Sequence, residues 1–122
     1  MTAISAPPSS ALRIARMLTV LLALGILAGT LWPAHTPPVP FTLTDKAIHF
    51  GAFALLILPM ALADPRRAWR LAPLCILFGG IIELVQPSVG RGAEWLDLAA
   101  DALGVAAGLA LGHVIRRLAW SR

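Results

Sequence analysis

Four long apolar runs, each close to the length of a membrane-spanning helix, constrain this chain most. The first, from Met17 to Trp32, contains no charged residue. With its flanking turn it supplies the roughly 20 helical residues needed to cross a hydrocarbon core of about 30 Å. Three further apolar runs follow, separated by short stretches rich in Pro, Gly and charge. The sequence therefore predicts transmembrane helices at about residues 14–32, 45–63, 70–86 and 96–115.

The composition agrees with a membrane protein and argues against a soluble one. Of the 122 residues, 58% are hydrophobic and 13% are charged, whereas soluble domains have about 45–50% apolar and about 25% charged residues. A soluble fold of this size buries only about two thirds of its chain surface. The remaining apolar side chains need lipid as their solvent, so we predict an all-α integral membrane bundle of four transmembrane helices.

The segments outside the runs are short. Residues 1–12 are rich in Ser, Pro and Ala and lack periodicity, so we predict a disordered cytoplasmic tail there, followed by a membrane domain over residues 13–122. The proline-rich stretch 33–44 is predicted to be an extended loop. An alternative assigns the first run to a cleavable signal peptide, but that run is long for one and no clear cleavage motif precedes Pro33.

The basic residues predict which end of the bundle faces the cytoplasm. If both termini lie inside, eight of the ten Lys and Arg residues fall on cytoplasmic segments. These are Arg13, Arg16, Arg66, Arg67, Arg70, Arg116, Arg117 and Arg122. Only Lys46 and Arg91 fall on the other side, so the positive-inside rule predicts a multi-pass protein of the cytoplasmic membrane with both termini cytoplasmic. The basic residues flank apolar runs, so the lipid bilayer is the expected partner and nucleic acid is not.

Carboxylates gather at the predicted outer ends of the runs. Five of the six acids lie there. They are Asp45, Glu83, Glu94, Asp97 and Asp101. A charged residue at mid-membrane costs about 2.5–3.5 kcal/mol, and less near the interface, so each inward-facing acid needs a partner or a proton. With Lys46, Arg91 and His49 as the available basic groups, we expect a hydrogen-bonded network. Glu94, in a loop beside Trp95, is expected to be peripheral.

Helical spacing predicts which polar side chains of the second and third helices share a face. Asp45 and His49 are four residues apart, which places them on one face of the second helix. On the third helix, Gly79, Glu83 and Gln86 follow one another at spacings of four and three residues. That face is therefore small in the middle and polar at the predicted outer end.

The fourth helix carries a stripe of glycines that predicts its inward face. Asp97 and Asp101 share the stripe with three glycines at four-residue spacing, namely Gly104, Gly108 and Gly112. Small residues at this spacing let helix backbones approach closely in lipid, so the stripe and its two acids should face the bundle interior. Gly25 and Gly29 form a second such pair in the first helix.

A structural explanation, helix capping, competes with a functional site. Asp45 and Asp97 lie at helix N-termini, where the dipole favours carboxylates, so simple capping explains each of them equally well. Glu83 lies near the end of its run, with no helix N-terminus to help it. An ionisable residue buried in a membrane is by default a functional candidate, so Glu83 is the strongest single one.

A metal site and a nucleophile are not supported by any local motif. His49 and the surrounding acids offer imidazole and carboxylate ligands, but these come from separate helices and no pattern such as H-E-x-x-H is present. We therefore assign no metal ligands, and any cofactor stays unknown. The single cysteine, Cys75, lies inside an apolar run and is interpreted as a small core residue.

The order and spacing of the polar residues resemble the VanZ-like family. The matching pieces are Asp45-Lys46-x-x-His49-Phe50, Glu83-x-x-Gln86, and Arg91 followed by Asp97, Gly104 and Gly108. The resemblance covers about residues 44–112. It implies a small four-helix membrane protein of the bacterial cell envelope, in a family named after a member associated with low-level teicoplanin resistance. A link to glycopeptide tolerance is a hypothesis within that resemblance, which does not by itself imply antibiotic resistance here.

The resemblance also implies a polar set by motif position. Its members are Asp45, Lys46, His49, Glu83, Gln86, Arg91 and Asp97. Asp101 departs from the family pattern, which commonly has Asn four residues after the aspartate, and this departure adds a negative charge to the site.

These residues lead to two functional hypotheses. The first is a membrane-embedded site, open to the extracytoplasmic side, that binds or modifies a polar envelope or lipid-linked molecule. Its acid, base or positioning residues would be Glu83, His49 and Asp97. Its binding residues would be Asp45, Lys46, Gln86, Arg91 and Asp101. The alternative is a non-catalytic scaffold or accessory subunit whose polar network only stabilises the bundle. Ion passage is disfavoured because no acid lies deep in the inner half of a helix.

Overall fold

The computed structural model describes residues 7–33 and 42–121, and the regular elements in these ranges are all helices. The α-helices are α1 (Ser9–Thr30), α2 (Leu43–Ala63), α3 (Pro65–Val85) and α4 (Trp95–Trp120). A short 3-10 helix, Gln86–Val89, follows α3. Each α-helix is long and apolar enough to cross a membrane. The predicted all-α membrane bundle of four helices is confirmed.

Helix α1 begins inside the stretch that the sequence assigned to a disordered tail. The tail was predicted over residues 1–12, but the helix starts at Ser9, directly after Pro8. Its first turn is stabilised by packing, because Leu12 lies against the hydrophobic core. The tail prediction is therefore wrong from Ser9 onward, and residues 1–6 lie outside the described part of the chain.

Helix α2 begins within the predicted proline-rich loop. Its N-cap is Thr42, whose side chain accepts a hydrogen bond of 3.3 Å from the backbone N–H of Asp45. Thr is among the favoured N-cap residues because its oxygen satisfies a free N–H of the first turn. The loop predicted over 33–44 therefore ends before Leu43, and its residues 34–41 lie outside the described ranges.

Helix α3 starts at Pro65, earlier than the predicted start near residue 70. Asp64 Oδ1 accepts hydrogen bonds from the backbone N–H groups of Arg66, at 3.0 Å, and Arg67, at 3.2 Å. An aspartate at the N-cap followed by proline at the first helical position is a strong helix start. The single residue Asp64 therefore connects α2 and α3.

Helix α4 runs past its predicted end near residue 115. Arg117 lies in its last turn, where a positive charge interacts favourably with the helix dipole. The Arg116 guanidinium donates a hydrogen bond to the backbone carbonyl of Leu62 at the end of α2. Basic residues that we interpreted as flanking the helix therefore belong to it.

Helix α2 lies at the centre of the bundle and makes its most extensive contact with α4. The glycine stripe of α4 permits this. A Cβ atom on Gly104 would overlap the carbonyl oxygen of Phe50, and one on Gly108 would overlap that of Ala54. A Cβ on Gly112 would lie 2.6 Å from the Cβ of Ala61. The prediction that the stripe faces the interior is confirmed.

Helix α1 packs much more loosely. Ala15 is its one buried residue in the described part, and Thr19 donates a weak 3.4 Å hydrogen bond to the carbonyl of Leu56. A Cβ atom on Gly25 or Gly29 would meet nothing within 4 Å. This pair of glycines therefore makes no close helix contact, and α1 and α2 enclose a cavity there.

The apolar surface of the bundle requires lipid. Large side chains such as Leu21, Leu84 and Leu103 are 60%, 83% and 63% exposed, which in water would leave extended apolar patches. The core between the helices holds Phe53, Leu56, Ile57, Ile82 and Val105. Cys75 is buried, as its position in an apolar run predicted.

Candidate functional site

Buried polar residues collect at one end of the bundle, which we call the polar end. It comprises the start of α2, the end of α3, the 3-10 helix and the start of α4. The buried polar and charged side chains are Lys46, His49, Glu83, Gln86, Asp97 and Asp101. Every one was a predicted site residue, and the structure brings all six together.

Lys46 forms the centre of an ion-pair cluster. Its ammonium group forms close ion pairs with Glu94 and Asp97, and it lies 3.7 Å from Asp45 Oδ2. Lys46 is only 9% exposed, so its charge is compensated by these acids rather than by water. The start of α2 is thereby joined to the start of α4.

His49 pairs with Asp101 deeper in the bundle. The distance from His49 Nδ1 to Asp101 Oδ1 is 2.8 Å, and His49 Nε2 lies 3.8 Å from Asp97 Oδ2. Asp101 is fully buried, and Gly79 on α3 leaves room for it. A Cβ atom on Gly79 would lie 2.6 Å from Asp101 Oδ2.

Glu83 is held by the start of α4. Its Oε2 atom accepts a hydrogen bond of 2.8 Å from the backbone N–H of Glu94, the N-cap residue of α4. The expectation that Glu83 lies far from any helix N-terminus is therefore wrong, because the N-terminus of another helix is beside it. A free backbone N–H at a helix start is a good partner for a carboxylate.

Glu94 belongs to the site, contrary to the prediction that it is peripheral. Its backbone holds Glu83 and its side chain pairs with Lys46. Gly90 ends the 3-10 helix in the left-handed region with a φ of 77°, which glycine adopts without steric cost, and the chain then leads to Glu94. The sequence signal was available, since Glu94 directly precedes a helix with Asp97 in its first turn.

Gln86 and Arg91 hold the C-terminal end of α1. Gln86 Nε2 donates a 3.3 Å hydrogen bond to the carbonyl of Thr30. Arg91 Nη1 donates to the carbonyls of Gly29, at 3.0 Å, and Trp32, at 3.1 Å. The last carbonyls of a helix have no intrahelical partner, so both side chains satisfy groups that the sequence pattern does not reveal.

A cavity of about 930 Å³ lies between α1 and α2 and reaches the polar end. We call it the α1 cavity. Its walls along the two helices are apolar and include Leu18, Leu21, Gly25, Ile48 and Leu55. At the polar end its lining includes Thr42, Asp45, His49, Gln86, Arg91 and Asp97. Six predicted or capping residues therefore face one space, whereas Glu83 and Asp101 lie behind it.

Two trios in this cluster have the geometry to hold a metal ion. In each trio, one ligand atom from every residue lies within 4.8 Å of the others. The first is Asp45, His49 and Asp97, and the second is His49, Glu83 and Asp101. The sequence assigned no metal ligands because these residues come from three helices, and only the fold brings them together.

The paired imidazole and carboxylates also give the site a capacity for proton transfer. His49 lines the α1 cavity and is hydrogen-bonded to Asp101, an arrangement that orients an imidazole for acid or base work. Asp97 lies beside it on the same cavity wall. A group bound at the polar end would therefore meet an oriented imidazole and a carboxylate.

The comparison with known proteins agrees with the geometry. A family model described as VanZ/LLP1 matches residues 13–116, a range that includes every residue of the polar end. No curated protein and no solved structure matches the chain. Since the family match spans most of the sequence and the structure has the four membrane-spanning helices that the resemblance implied, this chain belongs to the VanZ/LLP1 family.

Proposed function

We propose that this protein binds an amphiphilic molecule of the bacterial cell envelope, with the apolar chain in the α1 cavity and the headgroup at the polar end. The observation that carries the proposal is the lining of that cavity, which changes from leucine and glycine to charged and polar side chains along one continuous space. Its volume of about 930 Å³ falls in the range of about 300–1,000 Å³ that is typical of small-molecule sites.

The apolar part of the cavity suits a lipid chain. Leu18 and Leu21 line it and are themselves 45% and 60% exposed on α1, so a chain can enter from the surrounding bilayer. Gly25 and Gly29, about one helical turn apart, present no side chain to the cavity wall. An elongated apolar chain fits this surface without displacing any packed residue.

The polar part favours a headgroup rich in hydrogen-bond donors. Lys46 and Arg91, two of the predicted binding residues, already hold protein groups. Asp45 and Asp97 line the cavity wall, and Asp97 keeps one carboxylate oxygen, Oδ2, outside its ion pair with Lys46. Hydroxyl and amine groups, such as those of a sugar on a lipid-linked envelope precursor, complement such a surface. If the ligand reacts, His49 and Asp97 are the groups placed to move its protons.

The proposal includes a location. The asymmetry of the basic residues orients the polar end toward the extracytoplasmic side of the cytoplasmic membrane. Reporter fusions at residues 38 and 90 test this orientation, since both sites should report an extracytoplasmic position. A cytoplasmic signal at either site contradicts it.

Filling the α1 cavity tests amphiphile binding. The variant Gly25→Leu places a side chain where a Cβ meets no atom, so the helices keep their packing while the cavity loses volume. Gly51→Leu is the matched control, because Gly51 also has open space around it but does not line the cavity. Each protein is purified from native envelope and its retained lipids are measured by native mass spectrometry.

The proposal expects the wild type and Gly51→Leu to retain the same amphiphile and Gly25→Leu to lose it. Equal retention by all three proteins contradicts the assignment of the cavity. A wild-type protein that retains nothing beyond bulk phospholipid contradicts the function itself.

Glycopeptide tolerance is a downstream expectation of the same proposal. If the bound molecule is a cell-wall precursor, expression of the wild type should raise the teicoplanin concentration needed to inhibit growth, and Gly25→Leu at equal abundance should not. Identical inhibition with wild type, variant and empty vector contradicts this link while leaving amphiphile binding to be judged by mass spectrometry.

A scaffold role is the second candidate, and the paired network supports it. Lys46, His49 and Gln86 each bond to protein groups, as expected of side chains that lock a bundle. Asp45→Asn separates the two candidates, because Asp45 lines the cavity, is 45% exposed and lies 3.7 Å from its cation. A binding site predicts weaker amphiphile retention at an unchanged Tm, whereas a scaffold predicts no change in either.

A further inference from the structure

We propose that His49, Glu83 and Asp101 form a binding site for a divalent transition-metal ion, of which Zn²⁺ and Mn²⁺ fit the ligand set. The trio is contributed by α2, α3 and α4, and one ligand atom from each residue lies within 4.8 Å of the others. All three residues are at least nine-tenths buried. The site stands whether or not the α1 cavity holds an amphiphile.

Two buried oxygen atoms point to an occupant. Among the described residues, Glu83 Oε1 and Asp101 Oδ2 have no hydrogen-bond partner, although buried polar atoms are almost always paired. The other oxygen of each carboxylate is engaged, Glu83 Oε2 by the N–H of Glu94 and Asp101 Oδ1 by His49 Nδ1. Glu83 thus has one oxygen fixed by a backbone N–H and one left over, which is the arrangement of a metal ligand held by an outer-shell hydrogen bond. The contact between His49 Nδ1 and Asp101 Oδ1 joins two of the proposed ligands, so an ion bound there would take the place of the proton between them.

The charge of the polar end favours a cation as that occupant. Five carboxylates gather there, and the permanent cations in the described part of this end are Lys46 and Arg91. With His49 neutral, the negative charge exceeds the positive charge by three. Lys46 lies between Glu94 and Asp97, which leaves Glu83 and Asp101 without a permanent cation in their own ion pairs. A divalent ion bound to Glu83 and Asp101 would reduce the excess negative charge at the most deeply buried carboxylates.

The residue types indicate which ions fit. Imidazole and carboxylate together suit Zn²⁺ and Mn²⁺, whereas Mg²⁺ and Ca²⁺ prefer oxygen ligands alone. A Zn²⁺ ion held by these residues would take bond lengths of about 2.0–2.2 Å to their nitrogen and oxygen atoms. Gly79 lets the Asp101 carboxylate pack against α3 near Glu83, since a Cβ on Gly79 would lie 2.6 Å from Asp101 Oδ2.

The observations favour this trio over the neighbouring one of Asp45, His49 and Asp97. Asp97 Oδ1 is already paired with Lys46, whose ammonium group would repel a second cation. Asp45 is 45% exposed on its side chain. Among the described residues, three buried side-chain oxygens lack a hydrogen-bond partner, on Glu83, Gln86 and Asp101. Both of the carboxylate oxygens belong to the second trio and none belongs to the first, so the second trio is the assigned site.

Metal titration of the purified full chain tests the assignment. The protein is prepared in detergent without a polyhistidine tag, stripped with a chelator, and titrated with ZnCl₂ or MnCl₂ by calorimetry. The wild type should bind one ion per chain. Glu83→Gln and Asp101→Asn, which keep side-chain shape but remove a ligand charge, should each weaken binding by about tenfold or more. Asp64→Asn, which removes a carboxylate at the opposite end, should bind as the wild type does.

Three results would overturn the site. The first is a wild type that binds neither ion, which would mean that Glu83 and Asp101 hold protons instead. The second is wild-type affinity in both Glu83→Gln and Asp101→Asn. The third is a loss of affinity confined to Asp45→Asn, which would move the ion to the other trio.

A spectroscopic measurement keeps the proposal testable if the variants fail to fold. X-ray absorption at the zinc edge of the wild-type protein should show one imidazole and oxygen ligands at about 2.0–2.2 Å. A sulfur ligand would assign the ion to Cys75, and a first shell without imidazole would exclude His49. Either result overturns the site.

Discussion

Helices α1 and α4 both carry glycines at four-residue spacing, yet only one of them packs closely. The glycines of α4 lie against the backbone of α2, so that a Cβ on Gly104 or Gly108 would overlap a carbonyl oxygen. Gly25 and Gly29 of α1 have no atom within 4 Å of a Cβ position and line a cavity. The motif therefore gives a helix the capacity for close approach, and the facing helix decides whether that capacity is used.

Helices α1 and α4 also differ in how the side chains of the polar end bind them. On the α4 side, Lys46 is paired with Glu94 and Asp97 in a buried cluster. On the α1 side, Gln86 and Arg91 donate hydrogen bonds to backbone carbonyls that are partly exposed. We therefore expect the α2–α4 contact to carry most of the stability and α1 to open locally at a lower free energy.

Lys46→Met gives the largest expected loss of stability. Methionine keeps the length of the side chain but leaves Glu94 and Asp97 without their cation, and breaking a buried ion pair costs about 3–5 kcal/mol. Unfolding in mixed micelles, followed by circular dichroism, measures the change. Arg66→Met removes an exposed positive charge at the other end and should change the free energy of unfolding by less than about 0.5 kcal/mol. Equal effects of the two variants would contradict the comparison.

Gly108→Ala should be the next most costly change. Its Cβ would overlap the carbonyl oxygen of Ala54 and the side chain of Ile57, so the two helices must separate. Overpacking of this kind costs about 1–3 kcal/mol. The same unfolding measurement applies, with Gly25→Ala as the matched control. If both alanine variants unfold alike, the two glycine pairs do not differ in packing.

The sequence predicted the helices and the members of the polar cluster, but not all of their partners. Hydropathy and spacing were sufficient for the four spans and the inward face of α4, because both depend on side-chain pattern alone. The missed contacts involve backbone groups at helix ends, which Glu94, Arg91 and Gln86 donate or bind. Every residue has the same backbone groups, so the sequence gives no signal for these contacts. The spacing of the glycines in α1 did not show whether they make a close contact, because spacing does not show what lies opposite.

Arg91→Gln should affect α1 locally. It removes the guanidinium that holds the carbonyls of Gly29 and Trp32, which at this exposed position should cost about 1 kcal/mol of global stability. Amide hydrogen exchange at the C-terminal end of α1 should speed up markedly, while exchange in the α2–α4 contact stays unchanged. Uniformly faster exchange in all four helices would mean that α1 is not a separately opening unit.

Gly25→Leu should have the smallest effect on stability, and it tests the comparison most directly. The added side chain has open space, so its unfolding free energy should stay within about 0.5 kcal/mol of the wild type, measured in the same mixed micelles. A loss as large as that of Gly108→Ala would show that α1 closes onto α2 at Gly25. The glycines of α1 would then pack as those of α4 do, and the α1 cavity would not be available to an amphiphile.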